Sequence, residues 1–265
     1  MSQEPITTDI AVIKVGGSIF KDAASYRRAA EFVAHRLAAA PREKLVVVVS
    51  ARNGITDFLL QEAQAVVSEP NPAALDLLWS TGELHSVALL ALHLQALGIA
   101  ASPLNVHRTG LRLSERGASA ANADFDPAAI HATLRNHRAV VVPGFLASDR
   151  SSAIVSLGRG GSDLTAVLLA AGLSASRCEL IKDVPGYFSD DPHLNAHARH
   201  LSSLSFSQAL SMAHAGCDLV QTQALEAAAR YDLPLVVRSL VEPAPQTWIT
   251  NEASESAAEG AQAAI

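Results

Sequence analysis

The sequence predicts an α/β fold in which helices cover both faces of a mostly parallel, open sheet. Short apolar runs rich in β-branched residues recur along the chain, and such runs are typical of strands buried on both faces. Segments with helical spacing separate these runs, which indicates right-handed β-α-β crossovers. The composition agrees, because 49% of the 265 residues are hydrophobic but only 5% are aromatic, so Ala, Val and Leu must fill the core.

The individual elements follow from the same patterns. Apolar runs that end in turn residues are the predicted strands, namely Ile10–Gly17, Leu45–Gly54, Ala139–Phe145, Ala153–Gly161, Cys178–Gly186 and Leu233–Arg238. The predicted helices are Asp22–Ala39, Thr56–Val67, Asp76–Leu97, Pro127–Asn136, Asp163–Ala171, Ser205–Ala215 and Gln221–Arg230. We expect one domain over residues 1–250, whereas the small, polar and alanine-rich residues 251–265 are typical of a disordered tail.

Charge and cysteine content narrow the functional classes. A net charge of −6, with lysines and arginines scattered along the chain, argues against a nucleic-acid partner and an anionic membrane surface. Cys178 and Cys217 lack the spacing of a disulfide framework, which predicts a cytoplasmic protein. No apolar run is long enough to span a membrane, and the first residues lack a signal-peptide pattern.

The residues that follow each strand are the candidate site, because open α/β sheets bind ligands at the carboxyl ends of their strands. Lys14 lies near the end of the first strand and is followed by Gly16, Gly17 and Ser18. Glycines let backbone N–H groups approach phosphate oxygens, and the lysine adds a positive charge for the same anion. A plain turn with a surface lysine is the alternative.

Polar residues also follow the second strand and interrupt the long apolar segment after it. Ser50 is a candidate ligand contact, and Thr56 is a candidate helix N-cap. Thr81 and Glu83 could begin a helix, or Glu83 could offer a carboxylate to a substrate ammonium group. From these residues alone, helix-start chemistry is favoured.

The stretch "VSLGRGGSDLTAVLLAAG" (155–172) concentrates polar residues at a glycine-rich strand-to-helix turn. N-capping by Ser162 or Asp163, with Gly172 ending the helix, explains one polar residue. It does not explain Arg159 followed by two glycines, Gly160 and Gly161. An arginine and exposed N–H groups at a helix N-terminus predict a site for a carboxylate, with Asp163 orienting a lysine or a metal-bound phosphate.

The last candidate segment follows the strand that begins at Cys178. It contains Lys182, Asp183, a Pro-Gly turn, Tyr187 and the pair Asp190–Asp191, which suits the phosphates and base of a nucleotide, although a polar turn is the alternative. His193, His197 and His200 would share a face if the segment were helical. Pro192 and polar neighbours favour a loop, so we predict no protein-built metal site.

Taken in order, these stretches resemble the amino acid kinase superfamily and, within it, the catalytic domain of aspartokinase. The stretches are "KVGGS", "VVVVSARNGIT", "STGE", "VVPGF", "LGRGGSD" and "KDVPGYFSDDP", followed by "AGCDLVQTQALEAA", within Ala11–Pro243. The resemblance implies a three-layer αβα sandwich and a homodimer. It also implies an ATP- and Mg²⁺-dependent phosphotransferase of amino-acid biosynthesis that makes an acyl phosphate, with aspartate as the expected acceptor.

The resemblance also implies roles for residues. Catalytic roles fall to Lys14, Asp163 and Arg159. The nucleotide and its phosphates would be held by Gly16, Gly17, Ser18, Lys182, Asp183, Gly186, Tyr187 and Asp190. The amino acid would be held by Ser50, Thr81, Glu83, Arg159, Gly160, Gly161 and Ser162. No general base is needed, because a carboxylate acceptor with a pKa near ~4 is already ionised at pH 7. Mg²⁺ would bind mainly through the phosphates of ATP.

The sequence departs from the family pattern on the nucleotide side. Lys182 replaces a threonine, Asp218 replaces a phosphate-contacting lysine, and Gln221 and Thr222 replace a His-Pro pair. One hypothesis is that Lys182 restores a lost cationic contact. The chain also ends before any regulatory ACT domains, so allosteric inhibition through such a domain is not expected. Two alternatives stay open: a kinase of the same fold for another small amino acid or carboxylate, and a non-catalytic metabolite-binding relative.

Overall fold

The computed structural model describes residues 9–158, 160–192, 194–195, 197–241 and 243–252. Arg159, His193 and most of the predicted tail therefore lie outside the described residues. The strands are β1 (Ile10–Val15), β2 (Lys44–Val49), β3 (Ala101–Pro103), β4 (Leu111–Arg112), β5 (Asp124–Phe125), β6 (Ala139–Pro143), β7 (Leu146–Ser148), β8 (Ile154–Ser156), β9 (Cys178–Ile181), β10 (Tyr187–Phe188), β11 (His200–Leu201), β12 (Ser203–Ser205), β13 (Leu235–Arg238) and β14 (Thr247–Thr250). The α-helices are α1 (Ala23–Ala39), α2 (Ile55–Val66), α3 (Pro72–Ala96), α4 (Ala128–Leu134), α5 (Gly161–Gly172), α6 (Phe206–His214) and α7 (Thr222–Arg230). Short 3₁₀ helices span Val106–Arg108 and Ala120–Asn122.

The predicted three-layer αβα sandwich is confirmed. Its eight-stranded sheet has the order β12-β14-β13-β9-β1-β2-β6-β3, and every neighbouring pair is parallel except β13 with β14. The central strands β1, β2, β6 and β9 are buried along almost their whole length, as strands covered on both faces must be.

Alternation along the central strands divides the core into two layers. Val12 and its even-numbered neighbours in β1 and β2 pack with α5 and α7. Ala11, Ile13 and Val15 point the other way and pack with α1 and α3. Because side chains alternate with a period of two, the face on which each β1 residue lies is fixed by its number.

One predicted strand lies outside the main sheet. β8, predicted within Ala153–Gly161 as part of the parallel sheet, instead pairs antiparallel with β7 in a separate sheet of order β5-β4-β7-β8. Sequence reasoning missed β4, β5 and β7 of this small sheet, the β10–β11 pair, and β3, β12 and β14 of the main sheet. Those strands are two to four residues long, which is too short to show a clear period.

The predicted helix ends were wrong at several positions. The residue that precedes α2 is Gly54, not Thr56, and the one that precedes α5 is Gly160, not Ser162 or Asp163. Both glycines adopt left-handed conformations, so backbone geometry rather than a capping side chain begins each helix. Gly172 is the last residue of α5, and an added Cβ there would lie 2.0 Å from Cδ1 of Phe125.

Helix α3 begins earlier than predicted, so Thr81 and Glu83 do not start a helix. Its N-cap is Asn71, whose side chain accepts hydrogen bonds from the amides of Ala73 and Ala74. Thr81 and Glu83 therefore lie in the helix interior. No helix among the described residues is long and apolar enough to cross a membrane.

Arg116 joins the small sheet to the start of α3. Its guanidinium forms an ion pair with the buried carboxylate of Asp76. It also donates hydrogen bonds of 3.2 Å to the carbonyl oxygens of Pro72 and Ile154. One side chain thus fixes the beginning of β8 against the beginning of α3.

We expect Arg116→Met to lower the free energy of unfolding by about 3–5 kcal/mol, because it leaves the Asp76 carboxylate buried without this cation. Arg27→Met is the matched control, since Arg27 pairs with Glu31 on the exposed face of α1. That change should cost less than about 1 kcal/mol. Urea denaturation measures both values, and equal losses would show that the buried ion pair of Arg116 with Asp76 does not stabilise the fold more than an exposed pair does.

Candidate functional site

A cavity of about 650 Å³ opens where the central strands end. Its walls come from the loops after β1, β2, β6, β8 and β9 and from the first turns of α2, α5 and α7, together with the middle of α3. Ten predicted site residues lie in these walls: Lys14, Gly17, Ser18, Ser50, Glu83, Gly160, Gly161, Ser162, Asp163 and Lys182. The prediction that ligand-binding residues follow the strands therefore matches the position of the cavity.

Two lysines share one carboxylate in the cavity wall. The ammonium of Lys14 lies 2.7 Å from Oδ1 of Asp163, and that of Lys182 donates a 2.8 Å hydrogen bond to Oδ2. The Asp163 side chain is 3% exposed, and both lysine side chains are also largely buried. The group carries two positive charges and one negative charge, so it presents a net positive charge to the cavity.

The sheet and one helix end bring these three side chains together. Lys14 shares its face of β1 with Val12, and Lys182 continues the face of β9 that carries Cys178 and Leu180. That face packs against α5. Asp163 is the third residue of α5, so its side chain lies over the ends of both strands.

The pKa values of this group reflect burial and charge. Burial alone would raise the pKa of Asp163, but the charges and hydrogen bonds of Lys14 and Lys182 outweigh it and lower the pKa to about 2. Burial lowers the pKa of Lys182, although Asp163 opposes this shift. Asp163 is therefore ionised at neutral pH and can keep both lysines in place.

Glu83 forms a second, different carboxylate site. Burial raises its pKa to about 8, against the opposing effects of the Ala51 backbone amide and the Lys14 charge. Its Oε2 atom is buried and has no hydrogen-bond partner in the described part of the chain. A buried polar atom without a partner is costly, so this oxygen is suited to a ligand donor such as an ammonium group.

Three glycines allow close approaches around the lysines. An added Cβ at Gly17 would lie 2.9 Å from the carbonyl oxygen of Ala51. At Gly160, whose φ is +74°, it would lie 2.1 Å from Cγ of Gln221. Gly16 is buried outside the cavity wall, and a Cβ there would lie 3.2 Å from the Lys14 ammonium. Gly16 therefore leaves room for Lys14 instead of facing the cavity.

Other predicted site residues lie away from the cavity wall. Thr81 is exposed and donates a 2.7 Å hydrogen bond to the carbonyl oxygen of Leu78. Asp183 is exposed, and the exposed Asp190 accepts a hydrogen bond from Asn195. Tyr187 is buried in the core.

Gly186 packs against β14, because an added Cβ would lie 2.4 Å from Oγ1 of Thr247. The same hydroxyl accepts a hydrogen bond from the amide of Tyr187. This contact ties the predicted nucleotide segment to β14, the strand next to the sheet edge.

Sequence reasoning missed an aromatic part of the cavity wall. Trp79 from α3 meets Phe145 edge to face, with ring centroids 5.6 Å apart. Phe145 has a φ of +66°, which is uncommon for a bulky residue and costs energy. The position of Phe145 directly after "VVPG" was a signal in the sequence. Its contact with Trp79 was not predictable, because the two residues are far apart in the chain. Arg52 also lines the cavity without having been predicted there. Gln221, noted from sequence only as a departure on the nucleotide side, lines it as well.

Within the described ranges, no three His, Cys, Asp or Glu side chains cluster as ligands of a metal ion. His200, one of the three spaced histidines, lies in β11 with its ring edge to face against Phe188. His197 lies in the irregular segment before that strand.

Comparisons with known proteins agree with this architecture. The family model described as "Amino acid kinase family" matches residues 9–239. The chain belongs to the amino acid kinase family. It is 38% identical over 249 residues to an aspartokinase of Thermus thermophilus, and the match covers 93% of this chain and 60% of that protein. The chain thus spans about 60% of the length of this relative.

Solved structures of aspartate kinases have the same fold as this chain. The aspartate kinase from Synechocystis superposes with a TM-score of 0.79 at 32% identity, covering 93% of this chain and 40% of that one. Aspartokinase III of E. coli, solved in complex with aspartate and ADP, gives a TM-score of 0.77 at 26% identity. That match covers 93% of this chain and 66% of the E. coli chain.

Glu83 should make the stability of this protein depend on pH. Its pKa rises from an ordinary 4.5 to about 8 on folding. In that window the folded carboxyl stays protonated while the unfolded one ionises, so the free energy of unfolding falls as pH rises. Glu83→Gln cannot ionise, so its stability relative to wild type should grow by up to about 4 kcal/mol between pH 5 and 8.

Urea titrations at several pH values measure this difference. Glu62→Gln is the matched control, because Glu62 is an exposed glutamate of α2 and its difference from wild type should stay nearly constant. A constant difference for Glu83→Gln as well would show that the Glu83 carboxyl is not held protonated.

Proposed function

We propose that this amino acid kinase transfers the γ-phosphoryl group of ATP to a carboxylate of a small amino acid, with aspartate as the first candidate. The observation that carries the proposal is the pairing, in one cavity, of a cationic group with an unpartnered buried carboxylate oxygen on Glu83. The cations suit phosphate oxygens, and Glu83 suits an ammonium group. An amino acid beside a nucleotide supplies both.

Phosphoryl transfer between such reactants depends on alignment and charge more than on proton transfer. The acceptor carboxylate is ionised at neutral pH and attacks the γ-phosphorus directly. Lys14 and the backbone N–H groups around Gly17 and Ser18 would neutralise charge on the phosphates. Gly160, Gly161 and Ser162 at the start of α5 would hold the reacting carboxylate. Arg159 is proposed as a further carboxylate contact from sequence alone.

Several parts of this proposal rest on the relatives. The E. coli enzyme was solved with aspartate and ADP, which supports aspartate and ATP for this chain. Mg²⁺ would bind mainly through ATP, because both Asp163 oxygens already contact lysines. Asp183, Gly186, Tyr187 and Asp190 are retained as the proposed nucleotide segment. A cytoplasmic location is proposed from the two free cysteines, Cys178 and Cys217.

A hydroxylamine-trapping assay tests the reaction. With ATP, Mg²⁺ and aspartate, we expect the hydroxamate of an acyl phosphate together with one equivalent of ADP. N-acetylaspartate should be a poor acceptor, because it lacks the ammonium group that Glu83 would bind. Lys14→Met should lower kcat by about 10²-fold or more, since it removes a cation from the transferring group.

The outcomes separate the competing functions. Turnover only with another amino acid or carboxylate would keep the kinase and replace aspartate. Binding of ATP or aspartate without turnover of any acceptor would support a non-catalytic metabolite-binding protein. ADP release is followed in parallel, because acceptors other than carboxylates escape hydroxylamine.

A homodimer is proposed through the outer face of α3. Positions 77, 81, 85, 88 and 92 lie on its exposed side, and Leu77 and Leu92 at the two ends are 60% and 59% exposed. Two antiparallel copies of one helix bury the same patch on both partners, as an isologous two-fold interface requires. The 25 residues of α3 provide a contact line of about 37 Å.

Light scattering after size exclusion tests the dimer. The wild type should have twice the chain mass at micromolar concentration, and Leu77→Glu with Leu92→Glu should have the mass of a monomer. Val241→Glu, at an exposed apolar residue elsewhere, should leave the mass unchanged. A monomeric wild type, or a double variant that stays dimeric, would exclude this interface.

A further inference from the structure

We propose that Lys182 is a second catalytic cation that, together with Lys14, contacts the transferring phosphoryl group. This inference rests on the proposed phosphotransferase function and adds a specific residue to it. In this role Lys182 raises the rate of phosphoryl transfer and not only the affinity for the nucleotide.

The shared carboxylate of Asp163 brings two cations together at one point of the cavity wall. Asp163 accepts one ammonium on each of its two oxygens, at 2.7 and 2.8 Å. Both ammonium groups therefore lie on one small anion and are held close to each other. A tetrahedral phosphoryl group has several oxygens and can contact both cations at once, whereas a neutral group gains nothing from the pair.

The charges of Lys14, Lys182 and Asp163 do not cancel. Two buried lysines with one buried aspartate leave an excess positive charge, and buried charge is costly without compensation. Lys182 itself is largely buried at the cavity wall. An anion that enters the cavity supplies the missing negative charge. The charge on the transferring group can thus compensate both lysines without removing Asp163 from between them.

The position of Glu83 indicates which end of the cavity would hold the acceptor. Glu83 interacts with the backbone amide of Ala51, which follows β2. Strand β1 lies between β2 and β9 in the sheet, so Lys14 at the end of β1 lies nearer than Lys182 to the end of the cavity proposed for the acceptor ammonium. Lys182 extends the cationic group away from Lys14, across Asp163. The acceptor thus lies on the Glu83 side, and the phosphoryl group passes along the two lysines.

The proposed phosphoryl transfer requires no proton transfer. The bond between the γ-phosphorus and the β,γ-bridging oxygen breaks, and its electron pair stays on ADP. A carboxylate oxygen of the acceptor forms the new bond to phosphorus. Lys14 and Lys182 stay protonated and stabilise charge on the non-bridging oxygens during the transfer.

The test compares Lys182→Met with Lys182→Arg in the steady-state assay. We expect Lys182→Met to lower kcat by about 10²–10³-fold, while KM for aspartate changes less than about 3-fold. Lys182→Arg should recover part of the lost rate because it keeps the charge. Lys44→Met is the control, since Lys44 is a partly buried lysine at the amino end of β2 that contacts the carbonyl oxygen of Leu134, and its kcat should be unchanged.

A second measurement separates catalysis from a structural role. Aluminium fluoride with ADP and Mg²⁺ mimics the transferring phosphoryl group, so calorimetry should show that it tightens ADP binding to the wild type. Lys182→Met should lose that tightening yet bind ADP alone nearly as well as the wild type. Loss of ADP binding with an unchanged kcat would reduce Lys182 to a nucleotide contact and overturn the proposal.

The two proposals fail in different ways. A wild type that is inactive with every acceptor overturns the proposed function and, with it, the role of Lys182. An active wild type whose Lys182→Met variant keeps its kcat overturns the role of Lys182 alone. Activity with a different acceptor leaves the test unchanged, because it is then performed with that acceptor.

Discussion

The site depends on the ion pairs that the Asp163 carboxylate forms with two lysines. The carboxylate is buried, and it stays charged because Lys14 and Lys182 each contact one of its oxygens. Without it, two buried ammonium groups would repel each other at the end of the sheet. Its place at the start of α5 follows from Gly160, whose left-handed backbone turns the chain into the helix. A glycine turn, a helix end and two strands therefore meet in a single charged group.

Two buried carboxylates in one cavity have opposite properties because their surroundings differ. The pKa of Asp163 is about 2, since two cations outweigh the effect of burial, whereas that of Glu83 is about 8, since burial outweighs a single lysine and one amide. Such separation of pKa values is typical of functional sites. In the proposed reaction the two carboxyl groups have different roles, and neither of them transfers a proton. In the proposed function, Asp163 holds the two lysines in place, and an ammonium group that entered the cavity would favour the ionised form of Glu83.

Apolar runs made five of the eight main-sheet strands predictable, and helical spacing did the same for the seven α-helices of the described residues. Local polar patterns misled at the ends of these elements. Ser162 and Asp163 are residue types that often cap helices, but neither caps α5. A lysine partner was expected for Asp163, whereas its sharing between Lys14 and Lys182 follows only from the fold. Thr81 and Glu83 were assigned together to the substrate because "STGE" resembles a family motif. Two positions in a helix are about 200° apart, so only one of them can face the cavity. Glu83 faces it, and Thr81 bonds its own helix.

The register of the sheet explains why Lys182 is as firmly placed as Lys14. Lys14 lies opposite Leu180 in the parallel pair of β1 with β9, so Lys182 lies two residues further along the same face. Its amide donates a 2.8 Å hydrogen bond to the carbonyl oxygen of Arg238 in β13, which extends the ladder by one residue. Asp183 comes next, on the opposite face, and is exposed because it lies beyond the end of β9. A lysine held by the sheet is pre-organised before any ligand arrives, and pre-organised charge is what stabilises a transferring phosphoryl group.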